Sequence, residues 1–207
     1  MILDKLKYGA INNKKILTSL VVLLVIAITA GSLFLTILSK TDQQLVTQYM
    51  NDFMTQIMNH KVDYISTLKN SIWNNVGYVV FIWLLGISII GLPIVLFFFF
   101  SKIFVLGFSI GSFVLTYRFK GLLCATIYII PFSIINIGVY ILLALYAIKM
   151  SNNLIYSIFK KKEINVKRII NRYLLILLIS IGMMLFYSLY ETFVIPFLFE
   201  KMKFLIK

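Results

Sequence analysis

Glu191 falls inside a long apolar run and is the first place in this chain to look for chemistry. A carboxylate within a membrane span costs a few kcal/mol, so such a residue is usually paired or functional. Two roles fit it: a proton or cation site, or a polar clasp between helices. Arg118, Lys120 and Lys201 are its candidate partners by topology. A plainer role is a residue near the membrane surface, where the chain leaves after Pro196.

The other chemistry-bearing residues are sparse. The one histidine, His60, lies in a polar stretch. A metal site needs several nitrogen, sulfur or carboxylate ligands grouped together, and no such group occurs. A serine protease within the membrane would need a histidine on a span. A phosphate loop of the Gly-x-x-x-x-Gly-Lys-Ser/Thr type is absent, so any ATPase would be another polypeptide. The one cysteine, Cys124, cannot form an intramolecular disulfide. These observations predict a non-catalytic protein with no cofactor and no metal.

Small residues make the densest local pattern. Gly86, Gly91, Pro93, Gly107 and Gly111 lie among large apolar side chains. Gly107 and Gly111 form a G-x-x-x-G pair, which lets two helices approach closely. Pro93, Pro131 and Pro196 are all in apolar runs, where each can kink a helix whose freed carbonyl finds a partner in the bundle.

Composition says which elements must hold these residues. Hydrophobic residues make up 61% of the 207, charged residues only 13%, and mean hydropathy is +0.97. A soluble domain is roughly half apolar and about a quarter charged. The excess cannot be hidden in a soluble core of this size. The chain therefore reads as an all-α, polytopic membrane bundle. The formal charge of +13 would suggest nucleic acid in a soluble protein. Here the basic residues sit between apolar runs, where they set topology and meet membrane lipid, so no nucleic acid is expected.

A helix needs about 20 apolar residues to cross a bilayer. Spans are expected at 16–38, 77–100, 103–117, 121–148 and 173–199, in one membrane domain covering 1–207. The third, about 22 Å long at the usual rise, is short for a span. Residues 1–15 and the strongly basic loop 149–172 are assigned to the cytoplasm. Residues 39–76, with balanced charge, are assigned outside. Within them Val46, Met50, Phe53, Ile57, Tyr64, Ile65, Leu68 and Ile72 fall near helical spacing. That pattern predicts an extracytoplasmic amphipathic helix, which must lay its apolar face on the membrane, the bundle or a partner.

Two blocks of sequence resemble the stage II sporulation protein M family. One is Trp83, Leu84, Leu85, Gly86, then Gly91, Leu92, Pro93, a phenylalanine-rich stretch, Lys102, and Phe104 to Phe108 with Gly111. The other is Glu191, Thr192, Phe193, Val194, Ile195, Pro196. The resemblance implies a membrane scaffold at the septum of an endospore-forming bacterium, in the mother-cell membrane. Its implied partners are stage II sporulation proteins D and P, the peptidoglycan hydrolases that act during forespore engulfment. Val46, Met50, Phe53, Ile57 and Ile65 are the expected partner-binding residues, and a homo-oligomer stays open. The alternative is a small permease subunit served by a separate ATPase, docked through Leu154, Ile155, Ile158 and Phe159.

Overall fold

The computed structural model describes residues 14–59, 63–88, 90–160 and 166–201; His60 lies outside them. They form six α-helices and one π-helical turn. These are α1 (Lys14–Ile37), α2 (Lys40–Met58), α3 (Tyr64–Gly86), α4 (Gly91–Cys124), the π turn (Ala125–Ile129), α5 (Ile130–Lys160) and α6 (Val166–Lys201). No strand occurs among the described residues, and the fold is the all-α membrane bundle expected. Among them α1, α4, α5 and α6 contain stretches long and apolar enough to cross a membrane. The 23-residue α3 is about 34 Å long at 1.5 Å per residue. Its first half is polar, carrying Lys69, Asn70, Asn74 and Asn75.

The helix boundaries depart from those expected in the middle of the chain. The expected spans 77–100 and 103–117 put a turn at Lys102. The chain instead turns between Gly86 and Gly91, and α4 runs unbroken through Phe97–Phe100 and Lys102. Gly91 explains the position of the turn. A Cβ there would collide with the Leu85 carbonyl, so only glycine lets the chain double back so closely. Pro93 falls in the first turn of α4, where its missing N–H leaves no bond unmade. It starts a helix rather than kinking one.

The expected single amphipathic helix is two helices. Ser39 caps α2, its Oγ accepting from the Asp42 N–H at 3.2 Å. Asp63 caps α3, accepting from the N–H groups of Ile65 (3.1 Å) and Ser66 (3.3 Å). Tyr64, Ile65, Leu68 and Ile72 therefore belong to α3.

At Arg118 the backbone takes φ 52° and ψ −128°, a region that L-residues avoid. The chain folds back there, and Gly121 packs against Phe113 and Tyr117 with no room for a Cβ. The ladder then widens into the π turn. Position 131 is proline and has no N–H to donate, which accounts for the wider turn just before it.

The packing contacts fix the helix directions. Gly107 meets Ile28, and Gly111 meets Ser32 and Leu35, so α1 and α4 run parallel. Trp83 meets Tyr173, and Asn75 meets Glu191, so α3 and α6 run antiparallel. The most enclosed of the four apolar helices is α5. Phe99, Ile103, Ile82, Leu143 and Met184 fill the shared core. In a bilayer this packing gains little from leaving water, and close fit with dispersion must hold it. Val25, Leu33, Phe97, Leu178 and Phe186 face outward, as lipid contact requires.

Finally, α2 crosses the ends of the bundle. Its Met54 and Ile57 are buried with Phe113, Cys124 and Phe199. Phe113 stacks on Phe199 at 5.4 Å, and the Tyr117 hydroxyl donates to Asn51 Oδ1 at 3.1 Å.

Candidate functional site

The bundle holds a polar seam where α3 meets α6. Ser71, Asn75 and Tyr78 lie on one face of α3 because they are spaced by four and three residues. Tyr187, Ser188, Glu191 and Thr192 share a face of α6 for the same reason. The Ser71 hydroxyl donates to Glu191 Oε2. The Asn75 amide lies 3.1 Å from the same oxygen, 3.1 Å from Ser71 Oγ and 3.2 Å from Ser188 Oγ. Two donors thus converge on one carboxyl oxygen of Glu191.

Two further helices bring polar groups to the seam. From α4, the Lys102 ammonium lies over the Tyr78 ring, 5.2 Å from its centroid, and interacts electrostatically with Glu191. From α5, Tyr140 meets the Tyr78 ring edge-on at 4.8 Å. Asn136 is buried beside Tyr140 and Tyr187, and its Oδ1 has no hydrogen-bond partner. Tyr140 and Tyr187 both lie within electrostatic range of Glu191. The acid and the base thus share one buried neighbourhood without forming a direct ion pair.

The other end of the seam is aromatic. Trp83 Nε1 donates to the Tyr173 carbonyl at 3.1 Å, and the Tyr173 hydroxyl donates to the Trp83 carbonyl at 2.8 Å. Their rings stack at 5.3 Å. Ser151, fully buried on α5, donates to the Ser88 carbonyl and ties the α3–α4 turn to the bundle.

The expected site residues divide between these regions. Gly86 packs against Ala147 and Tyr173; Gly107 and Gly111 pack against α1. The G-x-x-x-G face is thus filled within the chain, by Ile28, Ser32 and Leu35. Gly31 on α1 completes that contact against Phe104 and Phe108. Glu191 does not pair with the expected Arg118 or Lys120, both of which are exposed. Ser71 and Asn75 take it instead.

On α2, Ile57 is buried in the bundle and cannot meet a partner, because this face of the helix covers Phe113 and Phe199. Val46 and Met50 are partly buried, and Met50 packs on the same cluster. Phe53 stays 44% exposed, and on α3 Ile65 is 83% exposed. Leu154, expected as an exposed docking anchor, packs on the core instead. An open cleft of about 540 Å³ lies between α2 and α4, lined by Lys40 and the side-chain amides of Gln43, Gln44, Gln48 and Asn51.

Lys102 escapes a reading by apolar runs because it looks like a flank between two spans. Its signal was the unbroken apolar sequence on both sides. Ser71 and Asn75 escape it because the polar stretch 39–76 is assigned outside the membrane. Their signal was the spacing with Tyr78, which puts polar and aromatic groups on the face that continues into Val79 and Ile82.

Helices of this length and apolarity, with one interior polar seam, define an integral membrane bundle. The family model described as Stage II sporulation protein M matches residues 20–196, from the second turn of α1 to Pro196 near the end of α6. The chain belongs to the stage II sporulation protein M family. No curated protein and no solved structure matches it.

Proposed function

We propose that this protein is a non-catalytic scaffold that holds peptidoglycan hydrolases, stage II sporulation proteins D and P, at the septal mother-cell membrane during engulfment. One observation carries the reading beyond family membership. α2 is pinned to the bundle by Met54 and Ile57, yet it still presents Leu45, Tyr49 and Phe53 outward. A fixed helix with exposed apolar and aromatic side chains suits a docking face. The positive-inside rule supports its sidedness: Lys149 and Arg172 lie at the opposite end of the bundle from α2. On that topology α3 is the fifth crossing, and α2 faces the wall. Each of Tyr49 and Phe53, if fully covered by a partner, would contribute about 1.5–3 kcal/mol.

The test is photo-crosslinking from positions 49, 53 and 65 in membranes of sporulating cells, with Ile26 on the lipid face of α1 as control. Wall hydrolases captured from 49 and 53, and not from 26, would support the scaffold. Capture of lipid alone at all four positions would overturn it. Tyr49→Asp with Phe53→Asp should release the hydrolases while the protein stays in the membrane. Ile57 is unsuitable for this purpose, since an acid there would disrupt the bundle itself.

A further inference from the structure

The polar seam uses one face of α3, through Ser71, Asn75 and Tyr78. The opposite face carries Ser66, Asn70, Trp73, Gly77, Val80 and Leu84, with Lys69 and Asn74 on its flanks. Ser66, Lys69, Asn70 and Asn74 are exposed, as are Trp73 (79%) and Leu84 (54%). A Cβ on Gly77 would meet nothing within 4 Å. Among the described residues, no group in the chain hydrogen-bonds the side chains of Lys69, Asn70, Trp73 or Asn74.

The depth of this face sets it apart. α3 lies against the part of α6 that is long and apolar enough to span, with Trp83 at Tyr173 and Asn75 at Glu191. Arg172, next to Tyr173, marks the inner surface. At the usual rise Asn74 and Asn70 lie about 14 and 20 Å outward of Trp83. A hydrocarbon core is about 30 Å thick, so both amides fall within it. Lipid tails offer an amide no partner. Lysine reaches the surface on its long stem, but asparagine is too short to do so. Another polar surface must cover this face.

The spacing says which surface. From Ser66 to Leu84 the face advances in alternating steps of four and three residues, the a/d repeat of a coiled coil. Asn70 takes a core position, where asparagine fixes register and the number of strands. An amide carries both a donor and an acceptor, so Asn70 pairs with its own copy. Gly77, also at a core position, lets the two backbones approach. Lys69 and Asn74 take the flanking positions that meet across a parallel pair. The ammonium of one copy then donates to the Asn74 carbonyl of the other, and the two lysines do not face each other. Two copies of the same sidedness, related by a twofold axis along the membrane normal, bring their α3 helices together in parallel.

We infer that α3 is the interface of a homodimer, in which a second copy of this chain covers the polar outer face of the helix. This goes beyond the scaffold reading. It shares with that reading only the crossing by α3, and it does not depend on what α2 binds.

The test is cysteine crosslinking of the full-length protein in a Cys124→Ser background. Ser66→Cys and Leu84→Cys read the two ends of the face and leave both amides in place. Ile26→Cys and Leu178→Cys, on the lipid faces of α1 and α6, read chance collision. The protein is oxidised in cell membranes and, purified, in lipid vesicles where no other chain is present. Disulfide-linked dimer is expected from 66 and from 84 in both settings, at least fivefold above the yield from 26 and 178. Asn70→Leu with Asn74→Leu makes α3 more apolar, so the helix still inserts, and should lower both yields to the control level. Yields from 66 and 84 no higher than the controls would overturn the dimer, and this readout needs no change to the amides. Capture of a different protein from 66 in cell membranes, with no self-linking in vesicles, would overturn it by giving the face to another chain. Unchanged yields in the double leucine variant would overturn the pairing of the amides. Hydrolase capture from positions 49 and 53 is read separately, so the dimer and the scaffold fail independently.

Discussion

The two long helix contacts of this protein are built on opposite principles. Where α1 meets α4, no side-chain hydrogen bond joins the two helices among the described residues. Gly31, Gly107 and Gly111 let two parallel backbones touch, and Phe34 closes the contact over Phe104 at 5.6 Å. Where α3 meets α6, antiparallel helices are joined by side chains that donate and accept at both ends of the seam. The first contact has no slack at Gly31 and Gly107, because there the obstacle to any added atom is backbone. The second can exchange partners, because hydroxyls and amides can turn. Steric fit specifies a single arrangement; hydrogen bonding allows a second one. That places rigidity on the α1–α4 side and any conformational change on the α3–α6 side.

The sharpest way to break this contrast is to add carbon to the close contact. A Cβ at Gly107 would lie 2.8 Å from Ile28 Cα and collide with the Ile28 carbonyl. Gly107→Val should therefore destabilise by about 3 kcal/mol, at the upper end of overpacking costs. Thermal unfolding in detergent and the amount of protein reaching the membrane both read this. Gly182 is the control. A Cβ there meets nothing within 4 Å, and the position faces outward. Gly182→Ala should be neutral, or stabilising by up to about 1 kcal/mol through helix propensity. Equal stabilities for the two variants would show that α1 and α4 are not in backbone contact.

A smaller effect is expected at the aromatic end of the polar seam. Trp83→Phe keeps a ring to stack on Tyr173 but loses the N–H, and Tyr173→Phe loses the hydroxyl. Each should cost about 1 kcal/mol, the usual net worth of one hydrogen bond. Because the two bonds cross between the same pair of residues, the double variant should cost less than the sum. Strict additivity would mean that the two bonds act independently and do not form one unit.

How far the sequence carries this architecture depends on where polarity is spent. The spans at α1, α5 and α6 are legible because long apolar runs have no other home, and Glu191 stands out within one of them. The family is legible from residues that fix backbone geometry: Gly86, Gly91 and Pro93 at a turn, Gly107 and Gly111 in a close contact. The α3–α4 hairpin is not legible from hydropathy. The link between Gly86 and Gly91 is as apolar as the helices it joins, while Lys102, the one visible break, is compensated inside the bundle by Tyr78 and Glu191. Residues 64–75 mislead in the converse way. Their polar side chains suggest water, but Ser71 and Asn75 are satisfied by α6. Hydropathy sums over a helix and cannot see which face a polar residue takes or what meets it there.

The smallest expected effect separates the interior seam from its flank. Asp63 is exposed and caps α3. Hydrogen bonds from the Ser66 hydroxyl and the Ser66 N–H, and more weakly from the Ile65 N–H, hold its carboxyl below the usual carboxylate range. A carboxyl that is easier to ionise in the folded protein stabilises that state above its unfolded titration range. The contribution is lost as pH falls through the lower, folded value. The stability difference between wild type and Asp63→Ala should thus be largest near neutral pH and shrink toward zero in acid. Asp63→Asn, which can still accept from the two N–H groups, should keep much of the cap and remove its pH dependence. A cap that Asp63→Asn abolished outright would show that the two N–H groups are held by the charge alone and not by an accepting oxygen, and the first turn of α3 would then depend on ionisation as the interior glycine contact of α1 and α4 does not.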